Sequence, residues 1–181
     1  MMRVFLFLAE GFEEIEAIAP IDVFRRADFE VTTVSITEDL KVSGAHGIGV
    51  LADKCFSEVS FDGEFLLFLP GGMPGTTNLD KHAGLKELIA LQASKGAKIA
   101  AICAAPSILG KMGLLKDKEA ICYPGFEQFL INAKVSDSKI VKSGNIFTAK
   151  GPGVAIPFAL AIVEDLKGKK HADEVAQAMM M

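Results

Sequence analysis

The stretch KIAAICAAPSILG, residues 98–110, joins a strand pattern to a helix pattern through a cysteine. Its first half is apolar after the lysine, whereas Ala104, Ala105 and Pro106 leave room for a sharp turn into a helix. A sulfur at the tip of such a strand faces a helix N-terminus, which favours the thiolate form. The alternative is that Cys103 is a small buried hydrophobic residue. Whether Cys103 is a nucleophile or a structural residue depends on the motifs in the rest of the chain.

Two other apolar runs have the same character, VFLFLA at residues 4–9 and FLLFLP at residues 65–70. None of the three alternates apolar with polar residues, as expected for parallel strands covered by helices on both faces. Helical patterns lie at 13–27, about 81–95, 105–112, after the GPG of 151–153 and in the C-terminal HADEVAQAM, and further strands at EVTTVSI and GIGVLAD. This alternation predicts a doubly wound α/β sandwich, with residues 1–181 forming a single domain.

The composition argues against several classes of protein. Half of the 181 residues are hydrophobic, which suits one sizeable core. A net charge of −4 without a basic run predicts no nucleic-acid partner, and the short apolar N-terminus predicts no membrane partner. Cys55, Cys103 and Cys122 contain no CxxC pair, which fits a reducing cytoplasm and predicts neither a metal nor a cofactor. Cys55 and Cys122 are interpreted as structural, and the three histidines as surface residues.

The loops after the three apolar runs are predicted to meet at one edge of the sheet, because carboxyl ends of neighbouring parallel strands share a ligand-binding crevice. The first run is followed by EGFEE, the second by Gly71 and Gly72, and the third by Cys103. A glycine pair lets backbone N–H groups approach a ligand oxyanion, and a carboxylic acid can hydrogen-bond a sulfur or move protons. Glu13 and Glu14 are interpreted as solvated charges at the start of the first helix.

Four motifs together identify a family. GFEEIEAIAPIDVFRRA, LPGGMPGTTNL, AAICAAPSILG and KGPGVAIPFALAIVE resemble, in order and spacing, the ThiJ/PfpI superfamily, in the branch of the human Parkinsonism-linked protein deglycase and its bacterial homologues. The resemblance covers essentially the whole chain. It implies a flavodoxin-like three-layer sandwich with a mostly parallel sheet and a cysteine at a nucleophile elbow. It also implies a homodimer through the first helix, in which the partner buries Ile15 and Ile18.

The resemblance also assigns roles to individual residues. Cys103 of AAICAAP is the reactive cysteine, and Glu16, the last acid of EGFEEIE, is the protonated glutamate beside it. The backbone amides of Gly72 and Ala104 would form the oxyanion pocket. Arg26 of DVFRR would supply positive charge near the rim of that pocket.

Three positions depart from the family pattern. Ala104 follows the cysteine where the peptidase-like members resemble CH, and Tyr123 of CYPG, which we expect at the substrate pocket, stands where the human branch has a histidine. Neither motif therefore supplies a histidine base, which disfavours peptidase and amidotransferase chemistry. Met73 replaces a polar residue after the glycine pair and is expected to affect substrate preference.

Two functions from different classes remain open. The first is a glyoxalase or protein deglycase, protecting against carbonyl and oxidative stress, in which Cys103 forms a hemithioacetal with a small dicarbonyl or a glycated protein and Glu16 moves protons. The second is a non-enzymatic redox sensor or chaperone-like stress protein in which Cys103 is oxidised to a sulfinate. The enzyme is favoured, because a proton shuttle and an oxyanion pocket are more than a sensor needs.

The two site residues are expected to titrate as a pair. A helix N-terminus and a neighbouring carboxyl proton predict a Cys103 pKa of about 5–6. Burial and the thiolate predict a raised pKa for Glu16, so that the pair holds one proton, placed mainly on the carboxyl.

Overall fold

The three apolar runs of the sequence form neighbouring strands in the centre of one sheet. In the computed structural model, which describes residues 2–181, they span Arg3–Leu8, Phe65–Leu69 and Ile99–Ile102. Apart from Arg3, every residue in them is buried. Helices cover both faces of the sheet, which explains why these strands carry no polar alternation.

The strands are β1 (Arg3–Leu8), β2 (Glu30–Ser35), β3 (Lys41–Ser43), β4 (Gly49–Leu51), β5 (Lys54–Cys55), β6 (Phe65–Leu69), β7 (Ile99–Ile102), β8 (Glu119–Ala120), β9 (Lys134–Val135), β10 (Ile140–Ser143) and β11 (Ile146–Ala149). A seven-stranded sheet has the order β10-β11-β7-β6-β1-β2-β5. It is parallel except at one edge, where β10 runs antiparallel to β11. Small two-stranded sheets are formed by β3 with β4 and by β8 with β9.

The helices are α1 (Glu14–Arg26), α2 (Gly75–Lys81), α3 (Ala83–Ser94), α4 (Pro106–Lys111), α5 (Ala155–Lys167) and α6 (Lys169–Ala178), with 3₁₀ turns at Phe56–Glu58, Glu127–Phe129 and Pro152–Val154. On one face of the sheet, α1, α5 and α6 pack over a core in which the Phe68 ring lies 5.8 Å from those of Phe24 and Phe158. On the other face, α2, α3 and α4 cover a second core. This is the predicted three-layer α/β sandwich. No helix within residues 2–181 is long and apolar enough to cross a bilayer.

Two segments differ from the sequence pattern. The helix α2 was not predicted, because its residues GTTNLDK carry a single large apolar side chain, Leu79, which packs into the second core. The GIGVLAD stretch is not one strand. It is divided between β4, which forms a hairpin with β3, and a turn at Asp53, whose carboxylate accepts the Thr33 N–H at 2.8 Å before β5 joins the main sheet.

Candidate active site

Cys103 lies in the sharp turn between β7 and α4. Its φ of +65° is in the left-handed region, which residues other than glycine rarely adopt. Two hydrogen bonds fix this backbone: the Cys103 N–H donates to the Ala149 carbonyl at 2.8 Å, and the Tyr123 N–H donates to the Cys103 carbonyl at 2.7 Å. A conformation of this kind costs about 1–3 kcal/mol and persists only where the surroundings impose it. The turn has the form of the nucleophile elbow that the sequence predicts.

The three predicted loops converge on the Cys103 side chain. Glu16, in the first turn of α1, is fully buried, and its Oε2 accepts the Gly71 N–H at 2.9 Å. A Cβ atom on Gly71 would lie 2.7 Å from both Glu16 Oε2 and Cys103 Cβ, so only glycine fits at this position. The close approach of the β6 loop therefore brings the carboxyl group to the thiol.

The pKa values show a coupled acid pair. Burial raises the pKa of Glu16 to about 7. Hydrogen bonds from the Cys103 thiol and the Gly71 N–H lower it, but by less than burial raises it. The predicted rise of the Glu16 pKa is therefore confirmed. Burial and the charge of Glu16 also raise the pKa of Cys103, against hydrogen bonds from the Gly72 and Ala104 N–H groups. The predicted fall of the Cys103 pKa is therefore wrong, because the sequence showed the helix terminus but not the depth of burial, which has the largest effect. The predicted placement of the proton mainly on the carboxyl is also wrong, because the thiol is the weaker acid of the two and keeps its proton after Glu16 ionises.

A cavity of about 330 Å³ lies behind Tyr123 and Gly151, and neither Cys103 nor Glu16 lines it. Its lining includes the Tyr123 side chain and Gly151, and a Cβ atom on Gly151 would lie 3.3 Å from the Tyr123 ring and 4.0 Å from Glu16 Oε1. Lys139 and Lys150 also line it, and neither forms an ion pair with another residue of the described chain. The cavity therefore carries positive charge, and the Gly151 backbone separates it from the buried Glu16 carboxyl.

Arg26 is not part of this site within the chain. It lies in the last turn of α1 and forms an ion pair with Asp22 at 2.7 Å. Glu16 is in the first turn of the same helix, so the two side chains start about 15 Å apart along the helix axis. The prediction that Arg26 supplies positive charge at the pocket rim is therefore wrong within the described chain.

Glu13 and Glu14 are buried, which corrects their interpretation as solvated charges. Glu13 caps α1 by accepting the Glu16 N–H at 2.8 Å. Glu14 Oε1 accepts the backbone N–H groups of His46 and Ile48, and its Oε2 lies 2.7 Å from His46 Nδ1. Although burial opposes it, the contacts with His46 hold the pKa of Glu14 below its usual value, and the same contacts raise the pKa of His46. The sequence pattern did not show the loop that covers these acids.

Gly72 is the position at which the β6 loop tolerates least change. Its φ is +90°, and a Cβ atom would lie 2.3 Å from Glu13 N and 2.6 Å from Gly11 O, both backbone atoms. We expect Gly72→Ala to lower the free energy of unfolding by at least about 2 kcal/mol in urea denaturation. Gly47→Ala is the matched control, because Gly47 has φ of +82° but open space around its Cβ position, and it should lose only about 1 kcal/mol. Equal losses would contradict the steric explanation.

Residues 2–165 match the profile of the DJ-1/PfpI family. The chain belongs to this family. Protein dj-1beta of Drosophila melanogaster is 38% identical, over 96% of this chain and 94% of its own length. A deglycase of Pyrococcus abyssi is 33% identical, over 92% of this chain and 100% of its own length. The solved structure of oxidized Toxoplasma gondii DJ-1 superposes with a TM-score of 0.95 at 34% identity, covering 99% and 98% of the two chains.

Membership of the DJ-1/PfpI family confirms the resemblance, but the cavity behind Tyr123 was not foreseen. Lys139 lies outside the four family motifs, and Lys150 is the first residue of the KGPG motif. They meet because β10 pairs antiparallel with β11, and the Lys150 N–H donates to the Lys139 carbonyl at 2.9 Å. The GPG motif was the available signal, since Gly151 lines the cavity and its backbone also lies close to the Glu16 carboxyl.

Proposed function

We propose that this protein is a cysteine-dependent enzyme acting on small reactive carbonyls, as a glyoxalase or a protein deglycase. The observation that supports it is the buried pair of Cys103 and Glu16, in which a thiol is hydrogen-bonded to a carboxyl group beside two backbone N–H donors. The relative from Pyrococcus abyssi is named a deglycase, which agrees with carbonyl chemistry. The three cysteines are unpaired, and we propose a reducing cytoplasm as their compartment.

The pair suits an attack on an aldehyde carbon. The Cys103 sulfur forms a bond to that carbon as its proton passes to the Glu16 carboxylate, whose pKa of about 7 matches a base working near neutral pH. The Gly72 and Ala104 N–H groups, which point at the sulfur, stabilise the negative charge as it moves to the carbonyl oxygen.

The remaining steps need no external oxidant. Glu16 first gives the thiol proton to the new alkoxide oxygen, which completes the hemithioacetal and restores the carboxylate. The carboxylate then removes the proton from the carbon bonded to sulfur and returns it to the adjacent carbonyl carbon, while the hydroxyl proton passes from the first oxygen to the second. The first carbon is thereby oxidised and the second is reduced. The resulting thioester is hydrolysed by water, which releases a hydroxy acid and restores the Cys103 thiol.

The test uses the purified protein and methylglyoxal. Loss of the dicarbonyl with formation of lactate by the wild type, but not by Cys103→Ser, supports the enzyme. A wild-type protein that consumes no dicarbonyl rejects it.

A redox sensor is the second candidate. The same two N–H groups at the Cys103 sulfur would stabilise the oxygens of a sulfinate, and the similar Toxoplasma gondii protein was solved in an oxidized form. Two molecules of peroxide would each transfer one oxygen atom to the sulfur and leave as water. The test treats the protein with two equivalents of peroxide and locates the oxidised residue by mass spectrometry. A sulfinate found only at Cys103, in a protein that does not consume dicarbonyls, favours the sensor.

We also propose a homodimer through α1. Ile15, Ile18 and Ile48 are 55%, 44% and 58% exposed, and they line an apolar groove of about 600 Å³ together with Ile156 and Met179. The two α1 isoleucines thus do not pack against the sheet, and a contiguous apolar surface of this kind is typical of an interface.

Ile18→Asp should convert the dimer into a monomer in sedimentation, because the charge would be buried without a partner. The matched control is Leu91→Asp, since Leu91 is 46% exposed on α3, in the helical layer on the other side of the sheet. A monomeric wild type, or an Ile18→Asp protein that stays dimeric, contradicts the proposed interface.

A further inference from the structure

The cavity behind Tyr123 and Gly151 is lined by two lysines from neighbouring strands. Lys139 directly precedes β10, Lys150 directly follows β11, and both line this space of about 330 Å³. Within residues 2–181 neither lysine forms an ion pair. We propose that the cavity binds a small organic phosphate, whose charge lies between the two ammonium groups. The proposal does not depend on the chemistry of Cys103, which does not line the cavity.

The register of the sheet places the two lysines directly opposite each other. The strands β10 and β11 pair antiparallel with Ile140 opposite Ala149, so the next residues outward, Lys139 and Lys150, are also opposite. The Lys150 N–H donates to the Lys139 carbonyl at 2.9 Å, which continues the pairing by one step. Residues opposite in this way have Cβ atoms about 4.5–5.5 Å apart, with their side chains on the same face.

This pair of like charges is the observation that points to an anion. Two like charges directly opposite each other across an antiparallel strand pair destabilise the fold. Another pair of lysines at this sheet, Lys98 and Lys142, is neutralised within the chain, because both contact the carboxylate of Asp165. A bound anion would supply to Lys139 and Lys150 the charge that Asp165 supplies to the other pair.

A phosphate matches the charge of this pair better than a carboxylate does. A phosphate monoester carries a charge of about −1.5 to −2 at pH 7, whereas a carboxylate carries only one negative charge. The lysine ammonium group is a compact charge with three donors, and it binds phosphate oxygens without needing the planar geometry of arginine. Two lysines on one face can therefore share the oxygens of a single phosphate.

The remaining walls of the cavity suit the organic part of the ligand. The Tyr123 side chain is 47% exposed, and with Pro124, Pro152 and Val154 it provides apolar surface. The Val154 N–H donates to the Gly151 carbonyl at 3.1 Å, which holds the 3₁₀ turn that forms one wall. Because a volume of about 330 Å³ is at the small end of ligand pockets, we expect an organic part of only a few carbon atoms.

The test uses the fluorescence of Tyr123. The protein has one tyrosine and no tryptophan, so the emission of the whole chain reports on this cavity. Titration with monobutyl phosphate at constant ionic strength should change the emission to a saturating value, whereas butanol, which lacks the charge, should have no effect. Lys139→Gln and Lys150→Gln should each weaken the binding at least about threefold.

The matched control is Lys116→Gln, which removes an exposed lysine outside the cavity and should bind as the parent does. Cys103→Ser should also bind as the parent does, so the result does not depend on whether the protein is an enzyme. Equal affinity in the parent and both cavity variants overturns the proposal. Loss of binding in Cys103→Ser, or equally tight binding of pentanoate, overturns it as well.

A second measurement tests the repulsion between the two lysines. Lys139→Glu reverses one charge and gives Lys150 an ion-pair partner directly opposite, so the melting temperature of the free protein should rise. Monobutyl phosphate should raise the melting temperature of the parent, because it binds the folded state, and leave that of Lys139→Glu unchanged. A Lys139→Glu protein that melts below the parent, or that the phosphate still stabilises, overturns the site.

Discussion

Replacing Cys103 with serine should reduce kcat/KM for methylglyoxal by at least about a thousandfold. A serine hydroxyl is a far weaker acid than a thiol, and a carboxylate with a pKa of about 7 cannot take its proton effectively. Serine is close in size to cysteine, so the elbow at φ of +65° should keep its form. Initial rates of dicarbonyl loss and product formation measure the effect.

The control for that substitution is Cys55→Ser. Cys55 is also a buried free thiol, but it lies in β5, at the opposite edge of the sheet from β10. It should retain the wild-type rate. If Cys103→Ser keeps more than a tenth of the activity, or if Cys55→Ser loses as much, the nucleophile is not Cys103.

Most of the fold followed from three short apolar runs. Strands buried on both faces need helices above and below, and the helical patterns between the runs supplied them, so a parallel sheet was the consistent arrangement. The failures were local. The helix α2 has little apolar surface of its own, and the division of GIGVLAD depends on the Asp53–Thr33 contact, which joins residues about twenty positions apart. Such contacts leave no periodic pattern.

The positions of the site residues could be predicted from motifs, whereas the properties that depend on burial could not. The Cys103–Glu16 pair was placed by family motifs and strand-end geometry, and the structure brings its members together. The direction of the Cys103 pKa depends on how deeply the sulfur lies, which no motif shows. Arg26 was misplaced because its distance from Glu16 follows from the length of α1 rather than from the motif that contains both.

Glu16→Gln is expected to reduce turnover by about 10²–10⁴-fold, because glutamine can accept the Gly71 N–H but cannot take a proton from the thiol. The wild-type rate should rise with pH through about 7, the pKa of Glu16, because the base must be ionised. That rise should be absent from the residual activity of Glu16→Gln. Rates measured between pH 5 and pH 8 provide the test, and a variant with full activity and an unchanged pH dependence would show that Glu16 is not the acid–base group.

The same substitution should make the protein more stable above neutral pH. The pKa of Glu16 is raised from 4.5 to about 7, so the folded protein holds this proton more tightly than the unfolded chain does. Wild-type stability therefore falls as the pH rises from about 4.5 to 7, by an amount on the order of 3 kcal/mol. Glutamine does not titrate, so Glu16→Gln should exceed the wild type by that amount at pH 8, and the difference should vanish near pH 4 in urea denaturation. Glu16→Leu, which leaves the buried Gly71 N–H without its acceptor, should gain less. A variant that loses turnover while gaining stability has not lost its fold, and this combination assigns the lost activity to the missing proton carrier.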